Sequence, residues 1–285
     1  MERKYGININ NEIMKEARYV NECRKIGVTP EPCRCCHYLS RVDKITYKSP
    51  NYMLSCAQDF RKGERGFQQH IWQATLDDGI AVFTTHPGAT QEGAGRPDLW
   101  SGNATHPRAV QHGNTVLCLY RIPADSKLPY SHAHFPRSQF DEVCEVGGWL
   151  FGRKGGGYVG LYSQHGYRWS GRADLADIEI ICDALHNGWI CQLGSRDEHG
   201  AFKQFVSAVL SRDVETTDGG ALRYVTPDGR SMEWGWDGEL LEDGEPVRIS
   251  GYKRFENGYC TADRYSGVYS ISQGGETLTL DFSKL

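Results

Sequence analysis

From residue 47 onward, apolar and polar positions alternate in short runs broken by glycine-containing turns, the period of two expected of half-buried β-strands. Runs 70–76 and 80–85 flank Asp77-Asp78-Gly79, and runs 108–111 and 116–122 flank His112-Gly113-Asn114, so each pair predicts a hairpin. A third hairpin is predicted where Lys154-Gly155-Gly156-Gly157 separates runs 148–151 and 158–162. Residues 178–182 are apolar apart from Glu179, which predicts a central strand, and 189–193 is its expected neighbour. Further turns at 218–220, 227–229, 237–238, 243–244 and 274–275 punctuate short strands at a spacing that suits a sandwich. The pattern as a whole predicts a mainly β chain, an antiparallel β-sandwich over residues 47–285.

Two segments depart from this period. Ile13, Ala17, Val20 and Cys23 recur at intervals of three and four among charged residues, so residues 10–26 predict an amphipathic helix. Gly27 follows it, and Pro30 and Pro32 prevent its continuation, because proline lacks the amide donor and restricts the residue before it. Residues 1–46 are thus a helix and a connector. Later, Phe202, Phe205, Val206, Val209 and Leu210 form a helical stripe, with Asp197 placed to cap its start, and this helix is expected to cover one sheet face.

Charge and cysteine content narrow the function classes. A formal net charge of −4, from 32 basic and 36 acidic residues without blocks, offers no footprint for a phosphate backbone, so nucleic acid is not an expected partner. The first residues carry no apolar export segment, and no apolar run is long enough to span a bilayer. The expected location is therefore cytoplasmic, with no membrane partner. There the ten cysteines stay mainly as thiols, and Cys118, Cys144, Cys182, Cys191 and Cys260 read as small buried hydrophobes. No P-loop, dinucleotide fingerprint or serine nucleophile elbow is present.

The candidate chemistry lies in the first half of the sheet region. If residues 66–74 form one strand, Gln68, His70 and Trp72 share a face, where an amide, an imidazole and an indole together suit a sugar. The same residues also suit a core tryptophan over a hydrogen-bonded histidine. The loop holding Arg96, Trp100, Asn103, His106 and Arg108 is polar and aromatic at once, as binding loops are, and its arginines can pair with a uronate carboxylate or brace the loop. His132 and His134, two residues apart, share one strand face and follow Tyr130. They can ligate one zinc ion with a third ligand from His70, His86, His106, Asp141 or Glu142, serve with Tyr130 as proton-transfer groups, or fill a concave face. Cys33-Arg34-Cys35-Cys36-His37, with Cys23 upstream, has poor zinc spacing and reads as free thiols ahead of a structural site.

Residues 52–59 and 66–76, Thr85-His86-Pro87-Gly88, Trp100-Ser101-Gly102-Asn103 and His132-Ala133-His134-Phe135-Pro136 together resemble the C-terminal β-sheet region of heparinase II/III-like carbohydrate-active bacterial proteins. The resemblance covers roughly residues 44–285. It implies a super-sandwich, acidic or plant-type polysaccharide substrates, lyase-like use of a tyrosine and a histidine as proton-transfer groups, and in some members a structural zinc. Those proteins place an α/α toroid before the sandwich, whereas one helix precedes the sheet here, so a helical partner subunit completing a split enzyme is one expectation. On this reading His70, His132, His134 and Tyr130 lie near the reacting bond, and Gln68, Trp72, Trp100, Asn103 and Arg108 position sugar. The alternative is a non-catalytic sugar-binding or assembly module.

Overall fold

The computed structural model describes Lys25 and residues 42–283, other than 78, 79, 218 and 219. Apart from Lys25, the predicted helix over residues 10–26 lies outside the described residues, as does the Cys33-Arg34-Cys35-Cys36-His37 cluster. The described residues divide into two compact units, one of residues 44–249 and a second holding residues 250–283 with Asp43.

The larger unit is built on two antiparallel sheets whose strands bury alternate side chains against each other. One has seven strands in the order β1 (Lys44–Lys48), β2 (Met53–Ala57), β3 (Trp72–Asp77), β4 (Ile80–Thr85), β7 (Ser131–His134), β12 (Glu179–Cys182) and β11 (Arg168–Trp169). The other has six, in the order β5 (Arg108–His112), β6 (Thr115–Arg121), β13 (His186–Ser195), β10 (Gly157–Ser163), β9 (Trp149–Lys154) and β8 (Glu142–Val146). Leu54, Trp72, Val82, Ala133 and Ile180 of the first sheet share a core with Cys118, Leu150, Leu161, Trp189 and Cys191 of the second. Each large side chain fully buried there contributes about 1.5–3 kcal/mol relative to exposure. Polar tips in this core are paired: Trp72 Nε1 donates to Thr84 Oγ1 at 2.9 Å, the Tyr120 hydroxyl to the same oxygen at 3.1 Å, and Trp189 Nε1 to Ser131 Oγ at 3.0 Å.

The six-stranded sheet is buried on both faces. Val110, Leu117, Trp149, Phe151, Tyr158 and Ile190 point away from the first sheet and are covered by α2 (Phe202–Leu210) and by a third sheet. That sheet runs in the order β14 (Val214–Thr216), β15 (Leu222–Val225), β16 (Ser231–Trp234), β17 (Leu241–Glu242) and β18 (Glu245–Pro246). The mainly β class and the three predicted hairpins are present, and α2 covers a sheet face through Phe202, Phe205 and Val209.

Several details differ from the sequence expectation. Residues 189–193 do not neighbour β12. They lie in β13, which pairs with β6 and β10 in the opposite sheet, because residues 183–185 carry the chain across the sandwich. Asp197 does not cap the helix: Ser195 caps a separate turn, α1 (Arg196–His199), and the Gln204 side chain accepts from the Ala201 amide at the start of α2. Cys118, Cys182 and Cys191 are buried as expected, whereas Cys144 and Cys260 are half-buried. Burial pushes the Cys118 thiol up to about 12.

The sandwich unit also ends earlier than residue 285. Residues 250–283 hold a separate antiparallel sheet in the order β19 (Phe255–Glu256), β20 (Cys260–Ala262), β21 (Val268–Gln273) and β22 (Glu276–Asp281). Asp43 is tied to this smaller unit, its Oδ1 accepting from the Tyr252 amide at 2.9 Å and from the Arg264 guanidinium.

Candidate functional site

The outer face of the seven-stranded sheet carries a second cluster of aromatic and imidazole rings under the 96–106 loop. β4 and β7 pair so that Phe83 lies opposite His134 and Thr85 opposite His132. Residues directly opposite in an antiparallel pair share a face, so these side chains project together. Phe83 stacks on His134 at 5.0 Å between ring centres and 7° between planes, and His70 also stacks on Phe83, at 4.1 Å and 25°. Trp100 folds over the row, flat against His132 at 4.4 Å and edge-on to His134 at 5.2 Å.

The loop that delivers Trp100 is organised by one carboxylate. Asp98 Oδ1 accepts from the amides of Trp100 and Ser101 at 3.0 and 2.7 Å, and Oδ2 accepts from the Gly93 amide at 2.9 Å and from Arg96 Nη1 at 3.2 Å. Burial works against this charge, but the three amides and the guanidinium outweigh it and hold the Asp98 carboxyl below its ordinary range. Asn103 is fully buried. Its Oδ1 accepts from the His86 amide at 2.9 Å and its Nδ2 donates to the Gln69 carbonyl at 3.2 Å, so it braces the loop.

Beneath Trp100 lies a buried chain of hydroxyl, imidazole and carboxylate. His132 donates from Nδ1 to Glu179 Oε1 at 2.6 Å, and its Nε2 is hydrogen-bonded to Thr85 Oγ1 at 2.6 Å. Thr85 and His132 have no solvent exposure and Glu179 has 2%. Burial disfavours the Glu179 charge, yet the hydrogen bond and charge of His132, with help from Ser170 and Arg172, leave its carboxyl below the ordinary value. Tyr130 meets the edge of His132 at 6.0 Å, and burial together with the Glu179 charge raises its phenol.

His134 is different, because it borders solvent. Its Nδ1 donates to the Ala81 carbonyl at 2.7 Å, which leaves Nε2 as the acceptor nitrogen of the neutral ring. Burial lowers its pKa from the ordinary 6.5, which favours that neutral form. It lines an open cavity of about 520 Å³ with Trp100, Arg172, Asp174, Gln91 and Glu92. Small-molecule sites span roughly 300–1,000 Å³. Arg172 and Asp174, both lining the cavity, form a two-pronged pair at 3.2 and 2.7 Å.

The structure therefore gathers some of the predicted residues and separates others. His70, Trp100, His132, His134 and Tyr130 belong to one neighbourhood. Trp72 does not, because β3 begins only at Trp72: Gln68 and His70 precede the strand, and the indole points into the core between the sheets with 1% exposure. Gln68 is exposed, and its side-chain oxygen accepts from the Arg96 guanidinium. Arg108 lies on β5 of the other sheet, where its guanidinium binds both oxygens of Asp59 at 3.0 and 2.9 Å. Its Nη1 donates to the carbonyls of Gly235, Trp236 and Gly238, and it stacks 3.7 Å over Trp234, so it braces the fold.

The pair His132 and His134 does not suit a zinc ion. Both nitrogens of His132 and one of His134 are committed to protein partners, and among the described residues no group of three or more His, Cys, Asp or Glu side chains is placed to hold a metal. His86 donates from Nε2 to the Leu128 carbonyl at 2.8 Å, and His106 packs against Gly66. Glu179, Asp98, Arg172 and Asp174 are the site residues that sequence reasoning missed. Only Glu179 left a signal, as the single charge within an apolar strand, which requires a buried partner. Comparison with protein-family models, with curated proteins and with solved structures gave no match. No helix among the described residues is long and apolar enough to cross a membrane.

Proposed function

We propose that the chain is a carbohydrate-active β-sandwich protein whose saccharide site is the open cavity at His134. The observation that supports this reading is the convergence on one cavity of an imidazole acceptor, an indole edge, an amide and an arginine–carboxylate pair. Sugar hydroxyls both donate and accept: they can donate to His134 Nε2, Glu92 and Asp174, and accept from Arg172 and Gln91. The charges at the cavity are those of Glu92, Asp174 and Arg172, and Arg172 is already paired with Asp174. This balance favours an uncharged, plant-type saccharide over an acidic one, since a uronate would have to displace Asp174 from Arg172.

Binding is better supported than cleavage by this chain alone. Proton transfer in a lyase- or hydrolase-like reaction needs two groups flanking the bond, and among the described residues that line the cavity His134 is the one imidazole, His132 being sealed beneath Trp100. In the catalytic version of the proposal a helical partner subunit supplies the second group. The test is calorimetric titration of the intact chain with neutral and uronate-containing oligosaccharides, alongside His134→Ala and Asp174→Ala variants. The expected result is binding of a neutral oligosaccharide that weakens at least tenfold in both variants. Absence of binding by either class, or binding unchanged in both variants, overturns the reading.

A further inference from the structure

Three adjacent strands of the seven-stranded sheet, β4, β7 and β12, bring a hydroxyl, an imidazole and a carboxylate into one line. Thr85 lies opposite His132, and Glu179 comes from the strand paired on the other side of His132, so the sheet register fixes all three. Glu179 Oε1 accepts the Nδ1 proton of His132 at 2.6 Å. That tautomer leaves Nε2 as an acceptor, so the Thr85 hydroxyl, 2.6 Å away, donates its proton to the imidazole. The order of groups is that of a nucleophile, its general base and the residue that orients the base. A face that needed only filling is typically as stable, or more so, with apolar side chains in such places, because a buried ionic set seldom repays its desolvation.

We propose that Thr85 is an acyl-accepting nucleophile for a small carboxylic ester, with Trp100 as the gate. The indole both lines the open cavity and stacks on His132 at 4.4 Å, so displacing this side chain extends the cavity to the imidazole and the hydroxyl bonded to it. Upstream of Trp100, Gly93 and Gly95 have φ of 72° and 151°, and a Cβ at Gly93 would meet nothing within 4 Å, so the loop has room to swing there. In the reaction the bond from Thr85 Oγ1 to the acyl carbon forms as the hydroxyl proton passes to His132 Nε2. The bond from the acyl carbon to the alcohol oxygen then breaks, and the same proton goes to that oxygen. Water repeats the sequence on the acyl-threonine, releasing the carboxylic acid and restoring the Thr85 hydroxyl and the neutral ring. Glu179 is a positioning residue that holds the tautomer and stabilises the imidazolium. Thr85 attacks the acyl carbon whatever the alcohol is, so this activity stands or falls apart from saccharide binding.

Labelling of the intact chain with an alkyl fluorophosphonate, read by peptide mass spectrometry, tests this, because Thr85 Oγ1 would displace fluoride from phosphorus as it displaces the alcohol from an acyl carbon. Trp100→Ala is expected to take the label on Thr85 about tenfold faster than the native chain, or more. Asp98→Asn, which loosens the loop and leaves the indole in place, is expected to move the rate in the same direction. In the Trp100→Ala background Thr85→Val abolishes the label, Thr85→Ser keeps it, and His132→Gln slows it by roughly a hundredfold or more. Glu179→Gln is expected to slow it as well and Glu179→Asp, which retains the carboxylate, to slow it less. A merely structural carboxylate would leave the rate unchanged in every variant whose hydrogen exchange over residues 108–121 and 186–195 stays native. Hydrolysis of 4-nitrophenyl acetate is expected to follow the same order. Absence of label on Thr85 in the native chain and in both gate variants overturns the proposal. So does a rate that is equal in all three, or one that His132→Gln leaves unchanged.

Discussion

The indole of Trp100 lies flat on the imidazole of His132, 4.4 Å between ring centres and 10° from parallel, while Trp100 itself is held by the Asp98 carboxylate through its backbone amide. Two consequences follow from this stack. The His132 ring is shielded from solvent by an aromatic cover, and the cover is delivered by a loop whose geometry one side chain maintains.

Replacing Trp100 by alanine is therefore expected to open His132. In the native chain His132 has no exposure, so diethylpyrocarbonate is expected to modify the exposed His70 and leave His132 untouched. In Trp100→Ala, mass spectrometry is expected to find His132 modified at a rate close to that of His70. Trp100→Phe keeps a ring in the stack and is expected to remain protected. Unchanged protection in the alanine variant would show that other groups seal the imidazole.

The His132 and Glu179 pair makes a separate prediction about stability. Removing the Glu179 carboxylate leaves the fully buried His132 Nδ1–H without its acceptor, and a buried donor left unsatisfied costs about 1–3 kcal/mol. Glu179→Ala is expected to lower the urea-unfolding free energy by about that amount, and the double variant with His132→Ala by less than the sum of the two single losses. The Glu179 carboxyl titrates below its ordinary value of 4.5 in the folded chain. The unfolded state thus binds more protons in the window beneath 4.5, and the stabilisation is complete above that value and lost as pH falls through the folded pKa. The difference between native and Glu179→Gln chains should shrink in acid, and a difference independent of pH would refute the assignment.

Much of the architecture was legible because local pattern and turn chemistry agree. Strands β5 to β6 and β9 to β10 are joined by short turns containing glycine, and these pairs and β3 with β4 form as the alternation predicts. What stayed hidden was sheet membership. Residues 180–182 and 189–191 are equally apolar, and nothing local shows that the chain crosses the sandwich between them, so neighbours in sequence were read as neighbours in a sheet. The boundary of β3 mattered as well: placing Gln68 and His70 on the strand put Trp72 beside them, whereas the strand starts at Trp72 and turns its indole inward. Arg108 looked like a ligand-binding arginine because its partners, Asp59 and the 235–238 carbonyls, are distant in sequence. Arg172 and Asp174 carried no signal at all, since a charged pair two residues apart in a polar loop is ordinary.

Arg108 consequently gives a prediction that separates bracing from binding. Its side chain is 6% exposed and satisfies one carboxylate and three carbonyl oxygens at once. Lysine carries a point charge without the planar fork, so Arg108→Lys cannot replace this set. Both Arg108→Ala and Arg108→Lys are expected to destabilise the chain, the alanine variant by about 3–5 kcal/mol as for a broken buried ion pair. At a temperature where the variants remain folded, saccharide affinity is expected to stay within twofold of the native chain. A specific loss of affinity without a loss of stability would return Arg108 to the binding site.

The protonation of His134 ties the fold to the proposed site. Burial lowers its pKa from 6.5, the neighbouring His132 and His70 act in the same direction, and only the hydrogen bond to the Ala81 carbonyl opposes them. Between the folded and unfolded values the unfolded chain binds more protons, so this residue's contribution to stability rises with pH through that window and is lost as pH falls. Binding follows the same sign, because protonation of Nε2 removes the acceptor to which a sugar hydroxyl would donate. Lowering the pH from about 7 to about 5, the range in which histidine changes charge, is expected to weaken saccharide binding in the native chain. His134→Gln, which keeps an amide in that place without a titrating group, is expected to show a flat profile over the same range. If the two profiles are parallel, the imidazole is not the acceptor that the Ala81 hydrogen bond sets up.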